Sequence, residues 1–162
     1  MTQSLWSLAI VLLLIIAVVI ISYRNSKRQK EIAAKTLAEG TKFLAANSVK
    51  EGIIISKSGL QYQILEAGVG ENATINSKVK THYHGTLIDG TVFDSSVDRG
   101  QPATFGVNQV IKGWQEGIPL MSVGAKYRFF IPQDLAYGLR SPSSSIPGGS
   151  ALIFEVELLE IN

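Results

Sequence analysis

Nineteen consecutive residues without a charge, Leu5 to Tyr23 (LWSLAIVLLLIIAVVIISY), constrain this 162-residue chain more than any other feature. As a helix rising about 1.5 Å per residue, the run nearly matches the ~30 Å hydrocarbon core of a bilayer. A buried core helix of this character needs a partner layer, which the remaining residues, patterned mostly as β structure, do not supply. The segment is therefore expected to span a membrane. A cleaved signal is the other reading, and it asks for a basic start, a shorter apolar core and a small-x-small site. Met1 to Ser4 carries no charged side chain, and Ile20-Ile21-Ser22-Tyr23-Arg24 offers no such site.

The rest of the chain has room for one domain of ordinary size. Its charge is uneven. Residues 24–35 hold Arg24, Lys27, Arg28, Lys30 and Lys35 against Glu31, a net of +4, whereas everything after them is net −2. A mildly acidic domain has no basic face with which to neutralise phosphates, so nucleic acid is not an expected partner. Basic residues follow the span and none precede it, which favours a cytoplasmic C-terminal domain. Gln29 to Asn47 is rich in Ala, Leu, Lys and Glu with apolar Ile32, Leu37, Phe43 and Leu44, and reads as a connector helix that Gly40 weakens. Gly52 and the β-branched Ile53-Ile54-Ile55 end it. The expected organisation is an anchor at 1–23, a basic juxtamembrane segment and connector at 24–57, and a domain at 58–162.

Within that domain the pattern changes to short strands. Leu60 to Leu65 and Lys78 to Leu87 alternate, Ala125 to Ile131 and Ala151 to Ile161 are β-rich, and Gly, Asn, Asp and Pro punctuate the gaps. In IKGWQEGIPLM, Ile111, Trp114 and Ile118 fall at i, i+3 and i+7 and share a helical face. The expected class is α+β, an antiparallel β-sheet curled around one short α-helix, without a βαβ rhythm.

Most catalytic chemistries find no residues here. Cysteine is absent, which removes disulfides, thiol catalysis and thiolate metal sites. Ser143, Ser144 and Ser145 lie in a polar Pro/Gly loop rather than a G-x-S-x-G elbow, and there is no phosphate-binding glycine loop. His82 and His84 are two apart on a strand and project to one face, but no carboxylate accompanies them in the same run; simple exposed histidines are expected, with no metal and no cofactor. What remains is an aromatic and aliphatic set with few polar groups: Tyr83, Phe93, Asp94, Val110, Ile111, Trp114, Tyr137, Ile146 and Phe154. These serve equally as the ordinary core of a small β domain. Against that, Tyr83 and Tyr137 bring hydroxyls and Asp94 a carboxylate into the set, and such groups are costly to bury without purpose. Apolar walls with a few placed polar groups are the usual composition of a pocket.

From roughly Ser58 to the C-terminus, the stretch YHGTLIDGTVFDSSVDRGQPATFGVNQVIKGW, then EGIPLMSVG, DLAYG and IPGG-ALIFEVELL, resembles the FKBP-type peptidyl-prolyl cis/trans isomerases. AEGTKFLAANSVKEG followed by SGLQYQIL is similar to the linker of bacterial members of the macrophage infectivity potentiator type, without their long helical dimerisation region. The resemblance implies an FKBP-like fold that catalyses rotation about Xaa-Pro bonds, with proline-containing polypeptides as substrates and no cofactor. It implies Trp114 as the floor under the proline ring, walls from Tyr83, Phe93, Val110, Ile111 and Phe154, and Ile146 beside them. The Ile111 N–H and Tyr137 hydroxyl would hold substrate carbonyls, and Asp94, supported by Tyr83 and Arg99, would stand near the twisting amide. A proline-peptide-binding chaperone or scaffold is the alternative.

Two departures accompany the resemblance. Ala103 stands where many relatives carry phenylalanine, and in the loop Ser141 to Gly149 Ser145 replaces an aliphatic residue and Gly148 a second proline. Binding of macrolide inhibitors of the tacrolimus and rapamycin class is accordingly expected to be weak. The resemblance also favours a single-pass protein of a bacterial inner membrane with its domain outside the cytoplasm, opposite to the charge bias.

Overall fold

The computed structural model describes the backbone of residues 2–162 and the side chains from Ile10 onward, so the side chains of Leu5 to Ala9 in the expected span lie outside the described residues. The chain begins with helix α1, Thr2–Asn47. Strands follow in the order β1 Ile54–Ile55, β2 Gln61–Glu66, β3 Lys78–Leu87, β4 Val92–Ser95 and β5 Ala103–Gly106. Helix α2, Lys112–Gly117, then precedes β6 Lys126–Ile131 and β7 Leu152–Ile161. The β3 bounds are those expected from alternation, and the other three expected strands each start one residue later than the pattern suggested.

Anchor and connector, expected as separate elements, are one uninterrupted helix of 46 residues, about 69 Å long. Between Tyr23 and Asn47 no proline interrupts the ladder, and the one glycine sits where the helix meets the domain. Its buried positions there are Ala33, Gly40 and Asn47, with Leu37 and Leu44 half-buried between them, a stripe at alternating spacings of four and three. Small residues dominate because backbone approaches backbone: a Cβ on Gly40 would stand 3.1 Å from the Ala151 Cβ. The end of the helix is fixed by Asn47, whose amide donates to Gln61 Oε1 at 2.9 Å while Gln61 Nε2 donates to the Leu44 carbonyl at 2.9 Å. Residues 10–21 of the same helix expose their large apolar side chains. By length and composition the helix is able to cross a membrane.

The sheet is antiparallel throughout, in the order β1-β2-β6-β7-β3-β4, with β5 also paired to β3. The long central pair, β3 and β7, matches from Val79↔Ile161 to Leu87↔Leu152. Strand β3 is shared along its length: Lys78 to Thr81 pairs with β5, and His84 to Thr86 with β4. On β7, Leu152, Phe154, Val156 and Leu158 are buried while the intervening residues turn to the other face, the period of two expected of a half-covered sheet. Helix α2 covers the buried face. It approaches closely because Gly113 and Gly117, one turn apart, lie on Ile131 and Phe129 of β6, where any Cβ would come within 2.5 Å of those side chains.

His82 and His84 share the opposite face of β3, as their spacing requires, but they are not simply exposed. Both are half-buried, with Nδ1 3.0 Å from Ser96 Oγ and 2.9 Å from Ser95 Oγ respectively. Ser95 and Ser96 leave β4 beneath that face, so the two rings have hydroxyl partners within reach.

Candidate active site

On the face of the sheet that carries α2, five aromatic rings converge. Trp114, the first inward residue of α2, is 5% exposed. Its ring centroid lies 5.0 Å from Phe154 and 5.4 Å from Tyr83, both edge-on, and 5.3 Å from Phe105. Phe93 stands edge-on to Phe154 at 5.3 Å. Edge-to-face packing of this kind holds each ring by its neighbours' quadrupoles. The rings fit because β3 places Gly85 between Phe93 and Phe154; a Cβ there would meet their carbons at 2.7–2.9 Å. A glycine inside an alternating strand marks such close approach.

The rings leave an open cavity of about 500 Å³. Trp114, Tyr83 and Phe154 form its base and side, with Phe105, Val110 and Ile111 opposite and Tyr137 at the rim. Ala103 also lines it. Of the ten residues singled out in the sequence, seven line this cavity: Tyr83, Asp94, Val110, Ile111, Trp114, Tyr137 and Phe154. Phe93 lies behind Phe154 and Arg99 behind Asp94. Ile146 is 6% exposed within the core, beneath the loop rather than on the wall.

The polar groups form one connected set. The Tyr83 hydroxyl donates to Asp94 Oδ2 at 2.5 Å and accepts from Arg99 Nη2 at 3.0 Å. Arg99 Nη1 pairs with the other carboxylate oxygen of Asp94. Burial pushes the Asp94 carboxyl up, but the bonds from Tyr83 and Arg99 outweigh it and hold the group below its usual 3.8. Burial, reinforced by the Asp94 hydrogen bond, raises the Tyr83 phenol. Partial burial and nearby Asp94 raise that of Tyr137 as well. The carboxylate is thus ionised and both phenols are protonated donors through neutral pH. Among the described residues, the Tyr137 hydroxyl, the Ile111 backbone N–H and the buried Trp114 Nε1 have no hydrogen-bond partner. Trp114 Nε1 is shut away from the cavity, which leaves two unmet donors, the Tyr137 hydroxyl and the Ile111 N–H, beside an apolar floor, an arrangement that suits a ligand carrying carbonyls.

Phe105, Gln109, Ser96 and Gly85 are the contributors that sequence reasoning missed. Ser96 is fully buried, its Oγ accepting from the Tyr83 N–H at 2.8 Å while its own N–H donates to the Tyr83 carbonyl at 2.9 Å. It locks the strand bearing Tyr83 to the turn that follows Asp94. The pair of serines directly after Phe93-Asp94 was the available signal.

Residues 69–159 match the family profile described as FKBP-type peptidyl-prolyl cis-trans isomerase. The chain belongs to that family. Residues 16–64 match the domain found amino-terminal to this isomerase, so the last two thirds of α1, strand β1 and most of β2 carry a family signature of their own. An FKBP-type peptidyl-prolyl cis-trans isomerase FkpA of Aeromonas hydrophila is 54% identical over 85% of this chain and 50% of its own length. The outer membrane protein MIP of Legionella longbeachae is 46% identical over 84% of this chain and 63% of its own. The crystal structure of FkpA from Escherichia coli superposes with a TM-score of 0.81 at 39% identity, covering 85% of this chain and 64% of that one. The chain therefore spans about half to two thirds of the length of these relatives, and the FKBP-type fold expected from its motifs is the fold it has.

Proposed function

We propose that this FKBP-type chain is a peptidyl-prolyl cis/trans isomerase acting on proline-containing polypeptides, held at a membrane by residues 5–23. The observation that carries the reading is the Trp114-floored cavity with the Tyr83–Asp94–Arg99 cluster at its side. In this reading residues 1–23 are the anchor, 24–57 the juxtamembrane segment and connector, and 58–162 the catalytic domain.

The mechanism follows from the amide. A planar Xaa-Pro bond owes its rotation barrier of roughly 18–20 kcal/mol to dipolar resonance, and exchange takes tens to hundreds of seconds. A proline ring laid on Trp114 between Tyr83 and Phe154 leaves water, and the apolar walls disfavour the dipolar planar form. The Ile111 N–H and the Tyr137 hydroxyl take the flanking carbonyls and select a bent backbone closer to the twisted amide than to either planar isomer. Asp94, ionised and fixed by Arg99, orients the Tyr83 hydroxyl and supplies a field across the twisting bond. Phe93 backs Phe154, and Ile146 props the loop from below. An acceleration of 10⁴ to 10⁶ asks for about 5.5–8 kcal/mol of differential stabilisation, with no covalent step. The open wall at Ala103 supports weak binding of macrolide inhibitors.

The deciding experiment is a protease-coupled assay of the full chain in detergent on a short Xaa-Pro peptide. Binding of the peptide without acceleration would instead support a proline-peptide-binding chaperone or scaffold. Asp94→Asn is expected to cut kcat/KM at least tenfold with little change in Tm. A matching fall in Tm with normal specific activity would make the carboxylate a structural cap. The pH profile has a definite sign. Because Asp94 is depressed in the folded protein, its contribution is complete above the usual aspartate value and lost only as pH falls through the lower folded value. Activity should hold steady through pH 5; a loss centred near 6 would implicate a histidine instead.

The anchor has its own test. Full-length protein should resist high-salt and alkaline washing of membranes, and residues 24–162 should be soluble and fully active. Release by salt alone would mean peripheral attachment, and a shortened soluble form a cleaved signal. The basic cluster from Arg24 to Lys35 favours a cytoplasmic domain on the inner membrane. A periplasm-dependent reporter that is active when fused after Asn162 would reverse that orientation.

A further inference from the structure

A groove distinct from the catalytic cavity runs between the exposed side of α1 and the segment Leu139 to Ser141, enclosing about 670 Å³. Two cations line it, Lys30 from the helix and Arg140 from the loop, together with the polar side chains of Ser26, Gln29 and Ser141. Its floor is apolar, formed by alanines of α1 and by Leu37 and Leu139. No carboxylate lines it, and among the described residues neither Lys30 nor Arg140 forms an ion pair. The Ser141 hydroxyl donates within its own loop, to the Ile146 carbonyl at 2.7 Å, so Ser26 and Gln29 are the uncharged groups left beside the two cations. Two like charges over an apolar floor, with such groups between, are complementary to an anionic amphiphile.

Position along the helix identifies which one. Ser26 lies three residues beyond Tyr23 and Lys30 seven, about 4.5 and 10.5 Å along the axis. The headgroup layer on each side of the hydrocarbon core is about 5–8 Å thick. Helix side chains lean toward the N-terminus, here the bilayer, and a lysine extends its ammonium further in that direction. The loop meets the helix further out, at Ala33 and Leu37, about 15 and 21 Å beyond Tyr23, and Arg140 reaches back from there toward the bilayer. A Cβ on Gly149 would stand 2.4 Å from the Ala33 carbonyl, and one on Gly148 3.3 Å from the Ala33 Cβ, so the chain after Ser141 lies directly on the helix. Arg24, Lys27 and Arg28 continue the same charge toward the apolar segment.

From this juxtaposition we infer that the groove between α1 and Leu139 to Ser141 binds the phosphate headgroup of an anionic phospholipid from the membrane in which the chain is anchored. The inference rests on the anchor reading above. It makes the segment Leu139 to Ser141 a lipid contact, and Tyr137, two residues before it, places the catalytic cavity near that contact.

The test uses the full chain in neutral detergent with a fluorescent short-chain phosphatidylglycerol. Phosphatidylglycerol should bind and the phosphatidylcholine analogue should not. Lys30→Glu and Arg140→Glu, both at exposed positions away from the catalytic cavity, should each weaken binding at least about fivefold, the worth of one basic residue near an anionic surface. In nanodiscs, residues 139–141 should gain hydrogen-exchange protection when phosphatidylglycerol is added to phosphatidylcholine, and lose the gain in the double variant. Equal affinity for the two lipids, or wild-type affinity in both variants, would overturn the inference. Competition by inorganic phosphate as effective as that by the unlabelled lipid would make this a site for a free anion and overturn the lipid assignment. The anchor is judged separately by alkaline extraction: a chain that washes off yet prefers phosphatidylglycerol loses the anchor and keeps the groove, and one that stays in the membrane without that preference loses the groove alone.

Discussion

Trp114→Ala is expected to abolish measurable isomerase activity and to lower stability by about 3–5 kcal/mol, the usual cost of emptying a buried aromatic site. Both effects have one cause. The indole is 5% exposed and in ring contact with Tyr83, Phe105 and Phe154, so its removal takes away the cavity floor and the support of three walls together. Trp114→Phe separates them, because a smaller ring keeps much of the packing while lowering the floor. We expect that variant to fold with a modest drop in Tm and a reduced kcat/KM. Wild-type kcat/KM in a folded Trp114→Ala protein would remove the residue from the site altogether.

Gly148→Ala should be the most damaging single-methyl change outside the catalytic cavity. The added carbon would lie 2.1 Å from the Leu139 carbonyl oxygen and 2.8 Å from its carbon, both backbone atoms unable to move aside alone. Overpacking of well-packed sites costs about 1–3 kcal/mol, and the upper end is expected here. The two sides of the loop must part at Leu139 and Gly148, and Tyr137, two residues before Leu139, moves with them, so kcat/KM should fall along with Tm. Gly70→Ala is the control: its φ is +95°, with no atom within 4 Å of the new Cβ, so only backbone strain is added. Equal Tm values for the two variants would show that Gly148 and Leu139 are not held against one another.

Residue periodicity carried much of the architecture. The pattern placed β3 without error and the starts of β2, β6 and β7 to within a residue, because a sheet covered on one face writes its burial directly into a period of two, while the short strands β1, β4 and β5 were not foreseen. The i, i+3, i+7 spacing likewise placed Trp114 on the inward side of α2 and Ile118, in the 3-10 turn that follows it, in the core, although Ile111 precedes the helix and Ile118 comes after it. The helix–domain contact was only partly legible. Leu37, Phe43 and Leu44 marked its face, but its most buried positions are Ala33, Gly40 and Asn47, which leave no hydrophobic signal; Gly40 even argued for a weaker helix. The cavity shows the same divide. Its rings were recognisable as a set, but Phe105 and Ile146 exchanged roles, since an apolar residue looks alike whether it lines a cavity or supports it from beneath. Ser96 and the two histidines needed three dimensions: a hydroxyl that locks neighbouring strands together is indistinguishable in sequence from one in solvent.

If residues 5–23 anchor the chain as proposed, the unbroken passage of α1 from bilayer to domain sets the conditions under which clients are met. A flexible tether of the 24 residues from Arg24 to Asn47 would let a domain wander with an r.m.s. reach of about 27 Å. The helix instead fixes height and facing, and leaves lateral diffusion and rotation about the membrane normal as the main ways to search. For a proline held in the layer the cavity faces, the effective concentration of enzyme is raised; for one beyond that layer it falls toward zero. Selectivity of this kind needs no recognition of the residues flanking proline. The protein would choose its substrates by where a chain is when it stalls.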